Sequence, residues 1–401
     1  MKKILFYTPF ITAGGGLQKV LIDYLKGLEN KGYKVDVICD FNIGNEVETY
    51  KDEIPNDMSF KYIKSEQVSK LIYYFRTLGK RNKFFNVFLY ALMIIFDFYY
   101  YHTKVKKIVQ DGKYDWTISF YQFLPAYITN FKNTKHVIWL HGSVEHFFGG
   151  IKNLFKSNYE KKLKRYDYVV TIADEMMEQL IKIYPNFSKE KIQRIYNPFD
   201  FGEITNKSDD LSSLSTDEKS LLADNYICTV SRVDEGQKDI TTLINAYEDL
   251  WKSKKITEKL YVIGDGSSKK DLIKLVKEKN LEERILFLGN KANPFVWMKH
   301  SKLFILSSKY EGLPTVLIEA MTCNTFIISS SCKTGPKEIL CDGKCGDLFE
   351  VGNVEELSNK ISFALSNEYY RNQKIKLAKD RIKEFESAKS IENFLILLKD
   401  K

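Results

Sequence analysis

Residues 303–320 read LFILSSKYEGLPTVLIEA, in which a polar loop separates two apolar runs. The first run predicts a buried strand, and the second predicts a helix that begins near Pro314, where a missing N–H costs nothing. The N–H groups of Leu313, Thr315 and Val316 have no partner within such a helix, and its dipole favours an anion such as phosphate. The stretch therefore predicts a strand, loop and helix that bind a phosphate-bearing ligand.

Two carboxylates flank this predicted phosphate site. Glu311 lies on the loop and Glu319 on the helix, with seven residues between them. Ionised carboxylates accept hydrogen bonds from pairs of hydroxyl groups, which ribose and hexoses carry. The pair therefore fits a ligand with sugar hydroxyls, although two solvated surface acids would have the same spacing.

The spacing of the two carboxylates resembles the Glu, seven residues, Glu signature of retaining glycosyltransferases with the GT-B fold, in particular family 4, the glycosyl transferases group 1. Further matching motifs occur in the family's order over nearly the whole chain. They are Gly14-Gly15-Gly16, Leu140-His141-Gly142, Ser231-Arg232-Val233 with Lys238, Gly264-Asp265-Gly266 and the segment from Ser331 to Leu340. The last segment resembles a subset that builds bacterial surface glycans, with Thr334 in place of the subset's Ser.

The length and the pattern of the chain predict two α/β domains. At 401 residues the chain exceeds what one hydrophobic core usually supports, and an alternation of strands and helices restarts after a polar linker at residues 208–220. The resemblance implies a GT-B fold, in which two Rossmann-like domains face each other across a ligand cleft. We expect an acceptor domain over residues 1–200 with a terminal helix at 385–401, and a donor domain over 201–384. A hinge near residues 197–200 would close the cleft over the donor.

The resemblance also implies a role for each matching residue. Arg232 and Lys238 would clamp the donor diphosphate by charge-assisted hydrogen bonds. Glu311 would bind the sugar hydroxyls, Glu319 the ribose, and His141 the donor sugar at the carboxyl edge of the first sheet. The predicted catalytic residues are His141, Arg232, Lys238 and Glu311, and the other predicted donor contacts are Gly15, Gly16, Gly264, Leu313, Pro314, Thr315 and Glu319.

The expected reaction needs neither a metal nor another cofactor. No Asp-x-Asp motif occurs in the sequence, which favours stabilisation of the leaving group by the two cations. The matching subset mostly uses uridine-diphosphate (UDP) sugars, so the resemblance implies a UDP-hexose or UDP-N-acetylhexosamine donor and a saccharide or lipid-linked saccharide acceptor. Retention in such enzymes is usually explained by front-face attack, and we assign no general base. The alternatives are a UDP-sugar epimerase, a phosphorylase, or a non-catalytic partner subunit that binds sugar nucleotides.

An apolar, aromatic-rich run at residues 84–101 lies between two clusters of basic residues. The run fits a buried helix, an interfacial helix on the membrane that carries a lipid-linked acceptor, or a transmembrane helix. Asn86 and Asp97 count against the transmembrane alternative. An interfacial helix would give peripheral membrane contact through residues 84–107.

The net charge and the cysteine pattern limit the possible partners and the cellular location of the protein. The chain has 61 basic and 52 acidic residues, a net charge of +9 that suits a phosphate-bearing ligand or an anionic membrane surface. No Arg-rich tract or nucleic-acid motif occurs, so we expect no nucleic-acid partner. The six cysteines form no Cys-x-x-Cys pair, and Pro9 interrupts the apolar start where a signal peptide would continue. We therefore expect reduced thiols and a cytoplasmic location, at the inner face of the cytoplasmic membrane if the aromatic run is interfacial.

Overall fold

The structure is a computed structural model that describes most of the chain. The described residues are 1–11, 16–42, 44, 50–79, 92, 95–96, 98–99, 101–120, 129, 131, 133–145 and 156–399. Gly14, Gly15 and most of the run at 84–101 lie outside them, so the predictions made for these residues stay predictions.

Two compact units make up the chain. The first comprises Met1–Ile172, Met177–Pro198 and Ser390–Lys401, and the second comprises Ala173–Met176 and Phe199–Lys389. The sequence predicts boundaries after residues 200 and 384, whereas the contacts divide the chain after Pro198 and Lys389. The short piece at 173–176 has no counterpart in the sequence prediction, because no composition change marks it.

The first unit is an α/β unit with seven parallel strands. They are β1 (Lys2–Thr8), β2 (Tyr33–Cys39), β3 (Ser59–Tyr62), β4 (Trp116–Phe120), β5 (Lys135–Leu140), β6 (Tyr168–Thr171) and β7 (Ile192–Arg194). Their order in the sheet is β3-β2-β1-β4-β5-β6-β7. The helices are α1 (Gly16–Leu28), α2 (Glu66–Gly79), α3 (Lys106–Gly112), α4 (Lys156–Leu163) and α5 (Asp174–Ile183), which belongs to this unit from Met177 onward.

The second unit repeats this architecture with six parallel strands. They are β8 (Tyr226–Val230), β9 (Lys259–Ile263), β10 (Ile285–Gly289), β11 (Phe304–Leu306), β12 (Ile327–Ser330) and β13 (Asp347–Phe349). Their order is β10-β9-β8-β11-β12-β13. The helices are α6 (Phe201–Asp209), α7 (Thr216–Leu222), α8 (Ile240–Lys252), α9 (Lys269–Glu278), α10 (Pro294–His300), α11 (Thr315–Thr322), α12 (Pro336–Ile339), α13 (Val354–Ser366) and α14 (Glu368–Arg381). The last helix, α15 (Ser387–Lys399), belongs to the first unit from Ser390 onward. The predicted α/β class with two Rossmann-like sheets is confirmed.

Continuous apolar strands and one returning helix form the core of the first unit. Residues 4–7 of β1 are all buried, as expected for a parallel strand with helices on both faces. The C-terminal helix α15 places Phe394 against Phe6, Tyr24 and Trp139, at ring-centroid distances of 6.2, 5.4 and 5.3 Å. Such aromatic clusters bury large areas of apolar surface, so α15 stabilises the first unit.

Five residues of the aromatic run have described side chains, and all five are exposed. They are Leu92, Ile95, Phe96, Phe98 and Tyr99. Within the described part of the chain, no helix combines the length and the apolar character that crossing a membrane requires.

Candidate functional site

The loops after β8 and β9 run against each other in backbone contact. A Cβ atom on Gly264 would overlap the carbonyl oxygen of Ser231, and one on Gly266 would overlap that of Val233. Gly264 also has a φ of +129°, which only glycine adopts without strain. The Val233 N–H donates to the carbonyl of Asp265 at 2.9 Å, so the segment that carries Arg232 is fixed beside the Gly264 loop.

Lys238 and Glu311, two of the predicted catalytic residues, form one ion pair. Lys238 Nζ lies 2.6 Å from Glu311 Oε1, and the two side chains are 13% and 8% exposed. The Ser308 hydroxyl donates to the same Glu311 oxygen at 2.6 Å. Removing one partner of such a largely buried pair leaves the other charge uncompensated, so each residue depends on the other for charge compensation.

Arg232 keeps its guanidinium largely in solvent beside this ion pair. Its side chain is 64% exposed, and Nε lies 3.9 Å from Asp234 Oδ2. Nη2 donates to Gln237 Oε1 at 2.7 Å. Since a guanidinium has five N–H donors, most of those of Arg232 are available to an anionic ligand.

The start of α11 meets the loop that precedes α12. A Cβ atom on Gly335, whose φ is +93°, would overlap Pro314 and crowd the Gly312 carbonyl. The Thr334 hydroxyl donates to the carbonyl of Glu311, so this residue makes a hydroxyl contact that a serine could also make. No side chain caps α11, and among the described residues the backbone N–H groups of Thr315 and Val316 donate no hydrogen bond. These two N–H groups are therefore available to an anion, and the anion site predicted here from the sequence stays a prediction.

Glu319 stands on α11, one turn after this anion site. Desolvation by the surrounding protein raises the pKa of Glu319 to about 7, although a hydrogen bond with Thr315 favours the ionised form. Its carboxyl group therefore changes protonation near neutral pH. In the ionised form it accepts hydrogen bonds from hydroxyl groups, and in the protonated form it also donates one.

His141 follows β5 in the first unit. Its ring lies 4.2 Å from the Phe120 ring and is stacked on Trp139 at 5.9 Å. Both ring nitrogens are buried without a hydrogen-bond partner in the described part of the chain. Burial lowers the pKa of His141 to about 3, so the ring is neutral at pH 7 and offers one donor and one acceptor. Gly16, in the same unit, opens α1 with free space where a Cβ would stand, and Gly15 lies outside the described residues.

The second unit thus brings together four predicted residues in two groups. Lys238 and Glu311 are in direct contact, and Thr315 and Glu319 share α11. Gln237 and Ser308 also contact Glu311, and neither belongs to a motif in the sequence. The available signal was weak, because a lone Gln next to Lys238 and a Ser two residues after β11 match no motif.

Comparison with known proteins supports the resemblance. The model described as Glycosyltransferase Family 4 matches residues 14–203, and the model described as Glycosyl transferases group 1 matches residues 215–381. The chain is 31% identical over 244 residues to the N-acetylgalactosamine-N,N'-diacetylbacillosaminyl-diphospho-undecaprenol 4-alpha-N-acetylgalactosaminyltransferase of Campylobacter jejuni, covering 60% of this chain and 63% of that protein. It is 24% identical to the lipopolysaccharide 1,6-galactosyltransferase of Salmonella typhimurium, covering 59% of this chain and 61% of that protein.

Solved structures share the fold. The crystal structure of Anabaena HepE in complex with UDP and glucose superposes with a TM-score of 0.73 at 19% identity, over 99% of both chains. By sequence, the chain spans 61 to 63% of the length of the first curated relatives that it matches.

Proposed function

Because the chain belongs to the GT-B glycosyltransferases of family 4, we propose that it transfers a hexose or N-acetylhexosamine from a UDP-sugar to a saccharide or lipid-linked saccharide acceptor. The product would be part of a bacterial surface glycan. Support comes from the C. jejuni and S. typhimurium relatives, whose names state sugar transfer to a lipid-linked saccharide and to lipopolysaccharide. The UDP in the HepE complex supports the nucleotide.

The observation that carries this proposal is the cluster of an exposed guanidinium, a buried ion pair and an uncapped helix start in the second unit. Arg232 and the N–H groups of Thr315 and Val316 would hold the two phosphates. Both kinds of donor are fixed before the reaction, so they stabilise the charge that develops on the leaving diphosphate at little reorganisation cost. This arrangement would need no metal cofactor.

Lys238 and Glu311 would divide the contacts to the donor. One hydrogen of the Lys238 ammonium is used by Glu311, which leaves two for a phosphate or a sugar oxygen. Glu311 Oε1 accepts hydrogen bonds from Lys238 and Ser308, whereas the one contact of Oε2 with the described residues is the long 3.4 Å contact with Gln237. Glu311 Oε2 is therefore the carboxylate oxygen that we assign to a sugar hydroxyl. Glu319 would receive the ribose hydroxyls, and the neutral His141 a hydroxyl of the donor sugar.

The proposed step exchanges one glycosidic bond for another. The bond between the anomeric carbon and the β-phosphate oxygen breaks, and the acceptor hydroxyl oxygen bonds to the same face of that carbon. The acceptor proton passes to the departing phosphate oxygen, so UDP leaves and the anomeric configuration is retained. This scheme uses no protein nucleophile and no general base.

The test is to offer a panel of UDP-sugars together with a saccharide-undecaprenyl-diphosphate mixture. Mass spectrometry should show one acceptor gaining a single hexose or N-acetylhexosamine residue, and proton NMR should show the anomeric configuration of the donor. Epimerised sugar nucleotide without acceptor gain would favour the epimerase alternative. A phosphorylase would instead release sugar 1-phosphate from the saccharide when inorganic phosphate is added in place of the UDP-sugar.

Peripheral membrane contact forms the second part of the proposal. The exposed side chains of Ile95, Phe98 and Tyr99 stand next in sequence to Lys104 and Lys107, which are exposed as well. Apolar aromatic residues beside basic ones suit the interface of an anionic bilayer. A lipid-linked acceptor would be presented at that surface, at the inner face of the cytoplasmic membrane.

A further inference from the structure

Gln237 connects the exposed cation to the buried ion pair. Its Oε1 atom accepts from Arg232 Nη2 at 2.7 Å. Its Nε2 atom donates to the carbonyl of Tyr310 at 3.2 Å and lies 3.4 Å from Glu311 Oε2. One amide thus touches Arg232 on one side and the loop of Glu311 on the other.

The neighbours of Gln237 determine how its amide is oriented. Arg232 can only donate, so it requires the amide oxygen, whereas the Tyr310 carbonyl can only accept and requires the amide nitrogen. Glutamate could accept from Arg232 but would place a second negative charge beside Glu311. Lysine could donate to the carbonyl but would repel Arg232. A neutral amide is therefore the side chain that satisfies both neighbours.

The backbone of Gln237 is held as firmly as its side chain. Its N–H donates to the carbonyl of Asp234 at 3.1 Å, and its own carbonyl accepts from the Lys309 N–H at 2.7 Å. Gln237 is thus one of several residues that join the loop after β8 to the loop after β11. Because its backbone is fixed, the side-chain amide of Gln237 stays in one position, and this limits how far the Arg232 guanidinium can move.

We propose that Gln237 is a positioning residue that holds the Arg232 guanidinium and Glu311 in the arrangement needed at the donor diphosphate and sugar. This inference rests on the proposed function. Gln237 needs no contact with the donor, because it acts through Arg232 and Glu311. Without it, Arg232 would remain charged and exposed but would populate several orientations, so fewer encounters would place it against the developing charge on the diphosphate.

The test compares Gln237→Met, which keeps the length but makes neither hydrogen bond, with Gln237→Glu. Gln193→Met is the matched control, because Gln193 is an exposed glutamine that also donates to a backbone carbonyl, that of Glu190. In the UDP-sugar transfer assay, kcat/KM of Gln237→Met should fall about tenfold to 100-fold, mostly in kcat, as for other residues that orient a catalytic group. The kcat/KM of Gln237→Glu should fall at least as far, and that of Gln193→Met should equal the wild-type value.

A second measurement separates positioning from structural support. In an Arg232→Ala background, Gln237→Met should add less than about threefold, because its short contact with Arg232 is already absent and Glu311 keeps its bonds to Lys238 and Ser308. If Gln237→Met lowers kcat/KM in that background as much as in the wild type, the inference is overturned and the proposed function stands. A Gln237→Met enzyme that unfolds at a lower temperature than the wild type but keeps the wild-type kcat would have the same meaning. A wild-type protein that neither binds UDP in calorimetry nor transfers sugar would overturn the proposed function, and this inference with it.

Discussion

Replacing Glu319 by Gln should change the pH dependence of folding. Desolvation raises the pKa of Glu319 from the ordinary 4.5 to about 7. Well below pH 4.5 the carboxyl group is protonated in the folded and the unfolded chain, so it does not lower the free energy of unfolding. As the pH rises from 4.5 to 7, the unfolded chain loses its proton first, and the folded state loses stability through this window. Above pH 7 the loss is complete and amounts to about 3 kcal/mol.

Glu319→Gln isolates the loss of stability that ionisation of Glu319 causes, because glutamine has the same shape as glutamate and never ionises. Its free energy of unfolding should exceed that of the wild type by about 3 kcal/mol at pH 8 and by under 1 kcal/mol at pH 5. Urea unfolding of both proteins at the two pH values, followed by circular dichroism, measures the difference. Equal stability of the two proteins at pH 8, or a gain that is the same at both pH values, would refute the reasoning.

The same variant tests the role that we propose for Glu319. An ionised carboxylate accepts from both ribose hydroxyls, whereas an amide offers only one oxygen and two N–H donors. Calorimetry at pH 8 should therefore show weaker UDP binding by Glu319→Gln, even though that variant is the more stable protein. Equal affinity would remove Glu319 from the ribose site. Opposite effects on stability and binding would be hard to explain by general damage to the fold.

Two further predictions concern the ion pair and the membrane. Lys238→Ala should raise the transition-state free energy by about 2–4 kcal/mol, which is a fall of roughly 30- to 900-fold in kcat/KM. The control is Lys274→Ala, because Lys274 is an exposed lysine on α9. Unchanged turnover of Lys238→Ala would exclude Lys238 from catalysis. The protein should sediment with anionic liposomes and be partly released by salt, since each basic residue near the surface contributes about 1 kcal/mol. Phe98→Asp should weaken this sedimentation, and a wild-type protein that stays in the supernatant would disprove the membrane contact.

Much of the fold could be predicted because its signals are local. Buried parallel strands such as β1 are continuous apolar runs, and Pro314 marks where α11 starts. The short edge strands β3 and β13 could not be predicted in the same way. Residues 59–62 alternate between exposed and half-buried positions and include only two aromatic residues, so the pattern is brief and weak.

The candidate site was predictable as a set of residues but not as a set of contacts. The family resemblance places Lys238 at the diphosphate and Glu311 at the sugar, and no sequence pattern indicates that the two form an ion pair. The two are 73 positions apart, and only the packing of the loops after β8 and β11 brings them together. Gln237 was overlooked for the same reason, because its importance lies in two neighbours that no local pattern reveals.

The central claim is that this chain transfers sugar from UDP and holds the diphosphate through its own cations and N–H groups. The most direct test is transfer from a radiolabelled UDP-sugar to a lipid-linked saccharide in the presence of excess EDTA, by the wild type and by Arg232→Ala. We predict that labelled lipid-linked product forms at the same rate with and without EDTA, and that Arg232→Ala lowers this rate at least tenfold. Loss of transfer on adding EDTA, with recovery on adding a divalent cation, or an Arg232→Ala enzyme as fast as the wild type, would contradict the account.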